Sequence, residues 1–163
     1  MTAGTIYLKI ITPDRIVFEA PVKQVTARAV DGELTILPDH EPIVTALAID
    51  VVEFKGESTS DSAAVIGGVM EVKKEADASE NGESEAKSNN GHMTYVTIVS
   101  NMAELDTEID EARAKQARER LEAEKTQKSD KLEVHLAEMA LSKAMARLKA
   151  VEMVKRRRGG RQQ

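Results

Sequence analysis

The sequence predicts an α+β protein, an N-terminal antiparallel β-sandwich followed by a C-terminal antiparallel two-helix hairpin. Three observations predict it. Apolar residues alternate with period two before about residue 100 and recur at helical spacing after it. The four prolines all fall within the first 42 residues, while Ala, Glu, Lys, Arg and Leu dominate the end of the chain. The charge changes sign at the same place. Residues 1–103 hold 8 basic and 16 acidic side chains, net −8, and residues 104–163 hold 15 basic and 12 acidic, net +3. The boundary is therefore set between a sandwich domain, 1–103, and a helical hairpin with a basic tail, 104–163.

Ile6, Leu8 and Ile10 alternate with Tyr7 and Lys9 as a first strand, which Pro13-Asp14 turns back. Arg15 to Ala20 is a second run, expected to stop at Pro21. Val22 to Val30 is a third, with Val25, Ala27 and Ala29 on one face. Asp31-Gly32 is a hairpin signal, because both residues tolerate positive φ. Glu33 to Leu37 returns from it, and Pro38 to Pro42 reads as a rigid loop. Ile43 to Phe54 supplies one or two strands, and Ser62–Val72 and Met93–Ser100 complete the set. Turn signals every 8 to 12 residues, with no helix between strands, favour a sandwich or barrel over a βαβ fold. Residues 73–92 contain no Val, Ile, Leu or aromatic residue and are expected to be a disordered loop between two strands.

Thr107 to Asp110 resembles a capping box opening a helix that runs to about Lys125. Thr126 to Ser129 interrupts it, and Ser129 or Asp130 caps a second helix. The short connection makes the two antiparallel neighbours. Large apolar residues are scarce on the first helix, where Ile109 and Leu121 stand almost alone. Alanines 112, 114, 117, 137, 140, 144 and 146 allow a close approach. The hairpin is therefore expected to be weakly held and able to open onto another partner.

Composition narrows the function. A net charge of −5 and an aromatic content of 2% argue against a base-stacking nucleic-acid platform. The absence of Cys removes disulfides, thiol catalysis and thiolate metal sites. No apolar run reaches the roughly 20 residues of a membrane span, and the first ten residues predict no secretory signal. His40, His92 and His135 have no metal-ligand spacing. Gly67-Gly68 lacks the lysine of a phosphate loop and reads as a strand bend. No catalytic constellation is present, and no cofactor is required.

Two basic features remain. Asp110 and Arg113 stand i,i+3, and Arg120 follows Arg113 by two turns, roughly 10.5 Å. Lys143 and Arg147 stand i,i+4 on the second helix. In an antiparallel hairpin these four cations converge as a polyphosphate requires, or Asp110–Arg113 is simply a helix-surface ion pair. Lys155 to Arg158 with Arg161 form a basic tail. It suits an acidic protein surface, a solvated helix C-terminus or, least well, RNA. On the residues alone this is an interaction module, or else a sandwich adaptor whose basic helical tail binds nucleic acid or anionic lipid.

Three stretches resemble the epsilon subunit family of bacterial and chloroplast F-type ATP synthases: DGELTILPDHEPIVTAL at 31–47, GGVMEV at 67–72, and VTIVSNMAE with EIDEARA at 96–104 and 108–114. The resemblance implies a non-catalytic rotor subunit at the cytoplasmic face of the bacterial cell membrane, associated with the membrane only through its complex. Its sandwich would join the gamma subunit to the ring of c subunits. Its hairpin would inhibit ATP hydrolysis on extending, with Lys149 and Lys155, Arg156, Arg157 and Arg158 facing the catalytic beta subunits. Glu33 and His40 would mark the ring-facing end. ATP would be a regulatory ligand of the folded hairpin, held by Glu104, Asp110, Arg113, Arg120, Lys143 and Arg147, with Ile109 and Ala114 completing the motif. The chain departs from the family pattern at Thr35 for glycine, Val69 for an aromatic, Lys143 for arginine, and in the length of residues 73–92 and of the tail past Met153.

Overall fold

The computed structural model describes residues 4–57, 60–76, 92–125 and 131–159. Eight strands come first: β1 (Ile6–Ile11), β2 (Ile16–Val22), β3 (Gln24–Ala29), β4 (Gly32–Ile36), β5 (Ile43–Lys55), β6 (Ser60–Ala76), β7 (His92–Val99) and β8 (Ala103–Leu105). A single 3-10 turn, Asp106–Glu108, leads into α1 (Glu111–Lys125) and α2 (Lys131–Gly159). The strands pair in the order β2-β1-β7-β6-β5-β3-β4, and β8 adds to β6. Every pairing is antiparallel except β1 with β7, which is parallel. These two are joined by most of the sandwich, so no tight turn dictates their direction.

The long strand β6 makes two layers out of one ladder. Its first part, Ala63 to Val65, pairs with β8, and its second, Val69 to Ala76, pairs with β7. The side chains facing the core change phase between the two parts. Ala63 and Val65 face the core before the bend, Met70 and Val72 after it. Alternation along a strand has a period of two, so an odd spacing such as 65 to 70 needs a local break. Gly67 (φ 66°) and Gly68 (φ 128°) supply it in the left-handed half of backbone space. The paired strand β5 changes phase alongside, from Leu47 to Val52 and Phe54. The core they enclose holds Ile6, Leu8 and Ile10 of β1, Val25 of β3, Ile36 of β4 and Val96 and Ile98 of β7, with Phe18 and Phe54 in ring contact at 4.3 Å.

The expected fold class stands, and several expected details change. Pro21 does not end the second strand, because β2 is an edge strand with β1 as its one partner, and a missing N–H is tolerated on its free side. Ile43–Phe54 is one strand. The region expected to be loop shrinks, since Lys73 to Ala76 pair with Tyr95 to His92. Lys73, Lys74 and Glu75 are carried on as strand by main-chain pairing with β7, and the remaining residues, 77–91, lie outside the described ones. The helical part begins later than expected. Ala103 is buried and Leu105 packs against the core, so β8 belongs to the sandwich. The cap of α1 is Asp110, whose carboxylate accepts the Arg113 N–H at 3.1 Å; Thr107 sits inside the 3-10 turn. Thr35, where a glycine was expected, faces Thr26 across the β3–β4 ladder with hydroxyl oxygens 3.0 Å apart.

A side chain at Gly68 would collide with the Val99 carbonyl oxygen, whereas one at Gly67 would lie 3.7 Å from the Leu47 carbonyl oxygen. Gly68→Ala is therefore expected to cost about 3 kcal/mol and Gly67→Ala about 1 kcal/mol. Urea unfolding followed by the fluorescence of Tyr7 and Tyr95, both in the sandwich, measures the difference. Equal midpoint shifts would contradict the close approach at Gly68.

Candidate functional site

The sites singled out by sequence meet where the hairpin lies on the sandwich. Two alanines of α2, Ala146 and Ala150, one turn apart, sit against Val51 of β5 and Ala64 of β6. Ile49, Ile109 and Met153 close the edges of this cluster. The other face of α2, with Ala137, Ala144 and Leu148 buried, packs against Ala114 and the rest of α1's inner side. Small side chains let the backbones approach, but they bury little: about 0.8 kcal/mol per methylene-sized group. Leu132, Leu136, Met139 and Met145 of α2 stay exposed. The packed positions of α2 are mostly its alanines, with Leu148.

Ion pairs flank the alanine seam on both sides. Arg147 donates two hydrogen bonds to Glu104 of β8, Nε to Oε2 at 2.7 Å and Nη2 to Oε1 at 2.8 Å. The same Nη2 lies 3.1 Å from the Met102 sulfur. Glu104 is registered opposite Ala64, the floor of the seam. Lys149 reaches Asp50 of β5 at 2.6 Å, and Asp50 is held in turn by Arg28 at 3.0 Å and by the Val51 N–H at 2.8 Å. The helices are stapled to each other at both ends, Lys125 to Glu138 at 2.9 Å and Lys155 to Glu111 at 2.6 Å, with Lys115 also on Glu111 at 2.7 Å.

The linker before α1 is fixed to the sandwich. Asp106 accepts the N–H and hydroxyl of buried Ser62 at 3.1 and 2.9 Å. Glu108 accepts a fork from Arg15, 2.8 and 2.6 Å, and the Leu105 N–H at 3.2 Å. Sequence reading missed Asp50, Ala150 and the Arg15–Glu108 pair. The small pair Ala146 and Ala150 at i,i+4 was the available signal for the seam; the ion pairs join residues up to 99 positions apart and left none.

The expected cation cluster is only partly assembled. Arg113 and Arg120, two turns apart, share one side of α1, and Arg120 pairs with Glu124 at 2.7 Å. Among the described residues neither Arg113 nor Lys143 has a carboxylate partner. Arg113 and Asp110 do not form the side-chain pair considered from spacing, because Asp110 caps the helix through the backbone. A cleft of about 480 Å³ between the hairpin and β5 is lined by Arg118 and Lys149, with Asp50, Glu152, Met145 and Leu148, rather than by the four expected cations. Glu33 is exposed on the edge strand β4, and His40 is half-buried with Nδ1 2.7 Å from the Glu41 carbonyl oxygen. Arg156 is exposed, and Arg157 and Arg158 continue α2, their side chains lying outside the described residues. No helix among the described residues is long and apolar enough to cross a membrane.

Residues 5–76 match the family model described as the beta-sandwich domain of the ATP synthase delta/epsilon chain, and residues 107–152 match that family's long alpha-helix domain. The chain belongs to the ATP synthase delta/epsilon family. Its relatives include the ATP synthase epsilon chain of Desulforamulus reducens, 36% identical over 150 residues covering 92% of this chain and 99% of that one. That of Halalkalibacterium halodurans is 36% identical over 145 residues, 88% and 95% of the two chains. A chain in the cryo-EM structure of the Euglena gracilis mitochondrial ATP synthase, comprising OSCP, F1 and c-ring, matches with a TM-score of 0.65 at 26% identity, covering 85% of this chain and 76% of that chain. This epsilon-type chain is thus a subunit of an F-type ATP synthase complex that makes ATP, and not its catalytic chain.

In this epsilon-type fold the staples set a pH dependence. Pairing with Lys115 and Lys155 lowers the Glu111 carboxyl from 4.5 to about 2, and Lys125 lowers that of Glu138. Each binds its proton less readily folded than unfolded. The stabilisation from Glu111 is therefore present above pH 4.5 and is lost as pH falls from 4.5 towards about 2, and that from Glu138 is lost in the same direction. The helix–helix contact is expected to loosen over that window. Side-chain carboxyl NMR of Glu111 measures it, and a midpoint near 4.5 would show that the staple does not form.

Proposed function

We propose that the chain is the non-catalytic regulatory rotor subunit of an F-type ATP synthase that links gamma to the c-ring and restrains ATP hydrolysis with its hairpin. The observation that carries this reading is the thinness of the seam. A 29-residue helix is held to the sandwich by Ala146, Ala150 and a half-buried Met153, with an ion pair on either flank. Such a contact separates without unfolding either body. A helix docked for stability alone would bury its large side chains, and here Leu132, Leu136, Met139 and Met145 remain available to a second partner.

The sandwich supports its half of the reading. Ile16, Ile11, Val99, Val69 and Ala46 are consecutive partners across five strands, and four of the five are exposed. Val44 and Val30 widen this apolar row. Contiguous exposed apolar area of this kind is covered by a protein partner, and we assign it to gamma. The rigid Pro38–Pro42 loop, with Asp39 at φ 71°, and the exposed Glu33 suit contact with polar loops of the ring. The chain would then sit peripherally at the membrane, on the cytoplasmic face in a bacterium.

The cation side of the hairpin supports ATP as a regulatory ligand. Arg113 and Lys143 lack carboxylate partners among the described residues, while Arg120 and Arg147 are paired with Glu124 and Glu104. A polyphosphate there relieves their mutual repulsion and favours the closed hairpin. The adaptor alternative draws no support from the basic end, because Lys149 and Lys155 are engaged with Asp50 and Glu111.

Removing residues from Ser129 onward is expected to raise ATP hydrolysis by the reconstituted complex several-fold while leaving proton-coupled synthesis intact. Unchanged hydrolysis would show that the hairpin is not inhibitory. Loss of coupling would show that the sandwich alone does not make the rotor contacts.

A further inference from the structure

Arg147 is the one member of the cation set whose fork is already filled. Glu104 takes it with both carboxylate oxygens, in the geometry that a phosphate would use. The two partners belong to different bodies. Glu104 stands on β8, whose continuation is tied down by Asp106 on Ser62 and Glu108 on Arg15. Arg147 stands on α2, next to Ala146 of the seam. When the hairpin leaves, Glu104 stays with the sandwich. The first backbone torsions not so fastened are those of Ile109 and Asp110.

We propose that Glu104 is the resident counter-anion of Arg147, a built-in substitute for phosphate that keeps the hairpin closed without nucleotide, and that a polyphosphate entering this side of the hairpin takes Arg147 from it. The second half rests on the reading of ATP as a ligand given above; the first does not. A guanidinium offers its fork to one bidentate anion at a time, so the two are exclusive at Arg147. In this exchange Glu104 is displaced by the nucleotide rather than holding it, and being a third exposed it returns to water at little cost. Lys143 and Arg113 have no such internal partner among the described residues, so they make the first contacts and Arg147 the last. Lys149 on Asp50, at the opposite edge of the seam, is left undisturbed.

The consequence is a prediction about what replaces what. Glu104→Gln removes the counter-anion with little change in shape and leaves Arg147 for phosphate. Arg147→Gln removes the strap and the phosphate ligand together. The chain has no native cysteine, so spin labels on Lys55→Cys and Glu133→Cys report hairpin closure in the full-length protein without interference. Without nucleotide the closed-to-open ratio is expected to fall about tenfold in both variants relative to wild type, the scale of one charge-assisted pair. Millimolar ATP is expected to restore closure in Glu104→Gln and not in Arg147→Gln.

Closure of Glu104→Gln without nucleotide, equal to wild type, would overturn the strap. An open Glu104→Gln that ATP fails to close, although calorimetry shows ATP binding to wild type, would overturn the exchange. If calorimetry shows no ATP binding to either protein, the nucleotide reading above falls and the exchange with it, while opening of both variants still establishes the strap.

Discussion

Ala146 and Ala150 resting on Val51 and Ala64 are the contact on which the arrangement of this chain depends. With methyl groups on both helix positions, α2 comes close enough for Arg147 and Lys149 to reach strands on either side. Larger side chains there would lift the helix and pull both ion pairs out of range. The contact also sets the energetic scale. Four small residues with Ile49, Ile109 and Met153 at their edges bury little for a helix of this length, so on the proposed reading the ion pairs weigh heavily in keeping the hairpin closed. Contacts of this kind respond to charge, acid and anions.

The sandwich is built to present this floor. Ala64 faces the helix because its neighbours Ala63 and Val65 face the core, and that phase holds only before the glycine bend. Beyond Gly67-Gly68 the same strand turns Met70 and Val72 inward and Val69 outward, into the exposed apolar row. One strand therefore offers a smooth seat for the hairpin in its first half and an exposed apolar side chain in its second. β8 borders the seat and carries Glu104, and the 3-10 turn after it is pinned to the sandwich.

Much of the sandwich was legible because strand alternation and turn chemistry are local. The Ile6-Leu8-Ile10 face and the Gly67-Gly68 bend appear as expected, while the β3–β4 hairpin turns one residue earlier than expected, at Val30-Asp31, with Gly32 already paired to Ala29. What was misplaced depends on distant partners. Pro21 sits harmlessly because β2 happens to be an edge, and Lys73 to Ala76 are strand because β7 lies alongside. On the helices the alanines are expected to bring α1 and α2 together, and Ala146 and Ala150 instead bring α2 onto the sheet, where closeness matters more than bulk. Of the expected cation set, Arg147 is engaged by Glu104 and Arg120 by Glu124. That Glu104 lands on Arg147, 43 residues away, follows from the pairing of β8 with β6.

The most direct measurement of this account is amide hydrogen exchange across the full chain carrying Ala150→Leu. Overpacking a site of this kind costs about 1 to 3 kcal/mol, confined here to the seam. Protection along α2 should fall by roughly ten- to a hundredfold, while β1, β3 and β7 keep theirs. Unchanged protection in α2 would show that the alanine seam does not hold the hairpin, and an equal loss in the strands would show that sandwich and hairpin are one cooperative unit rather than two bodies in contact.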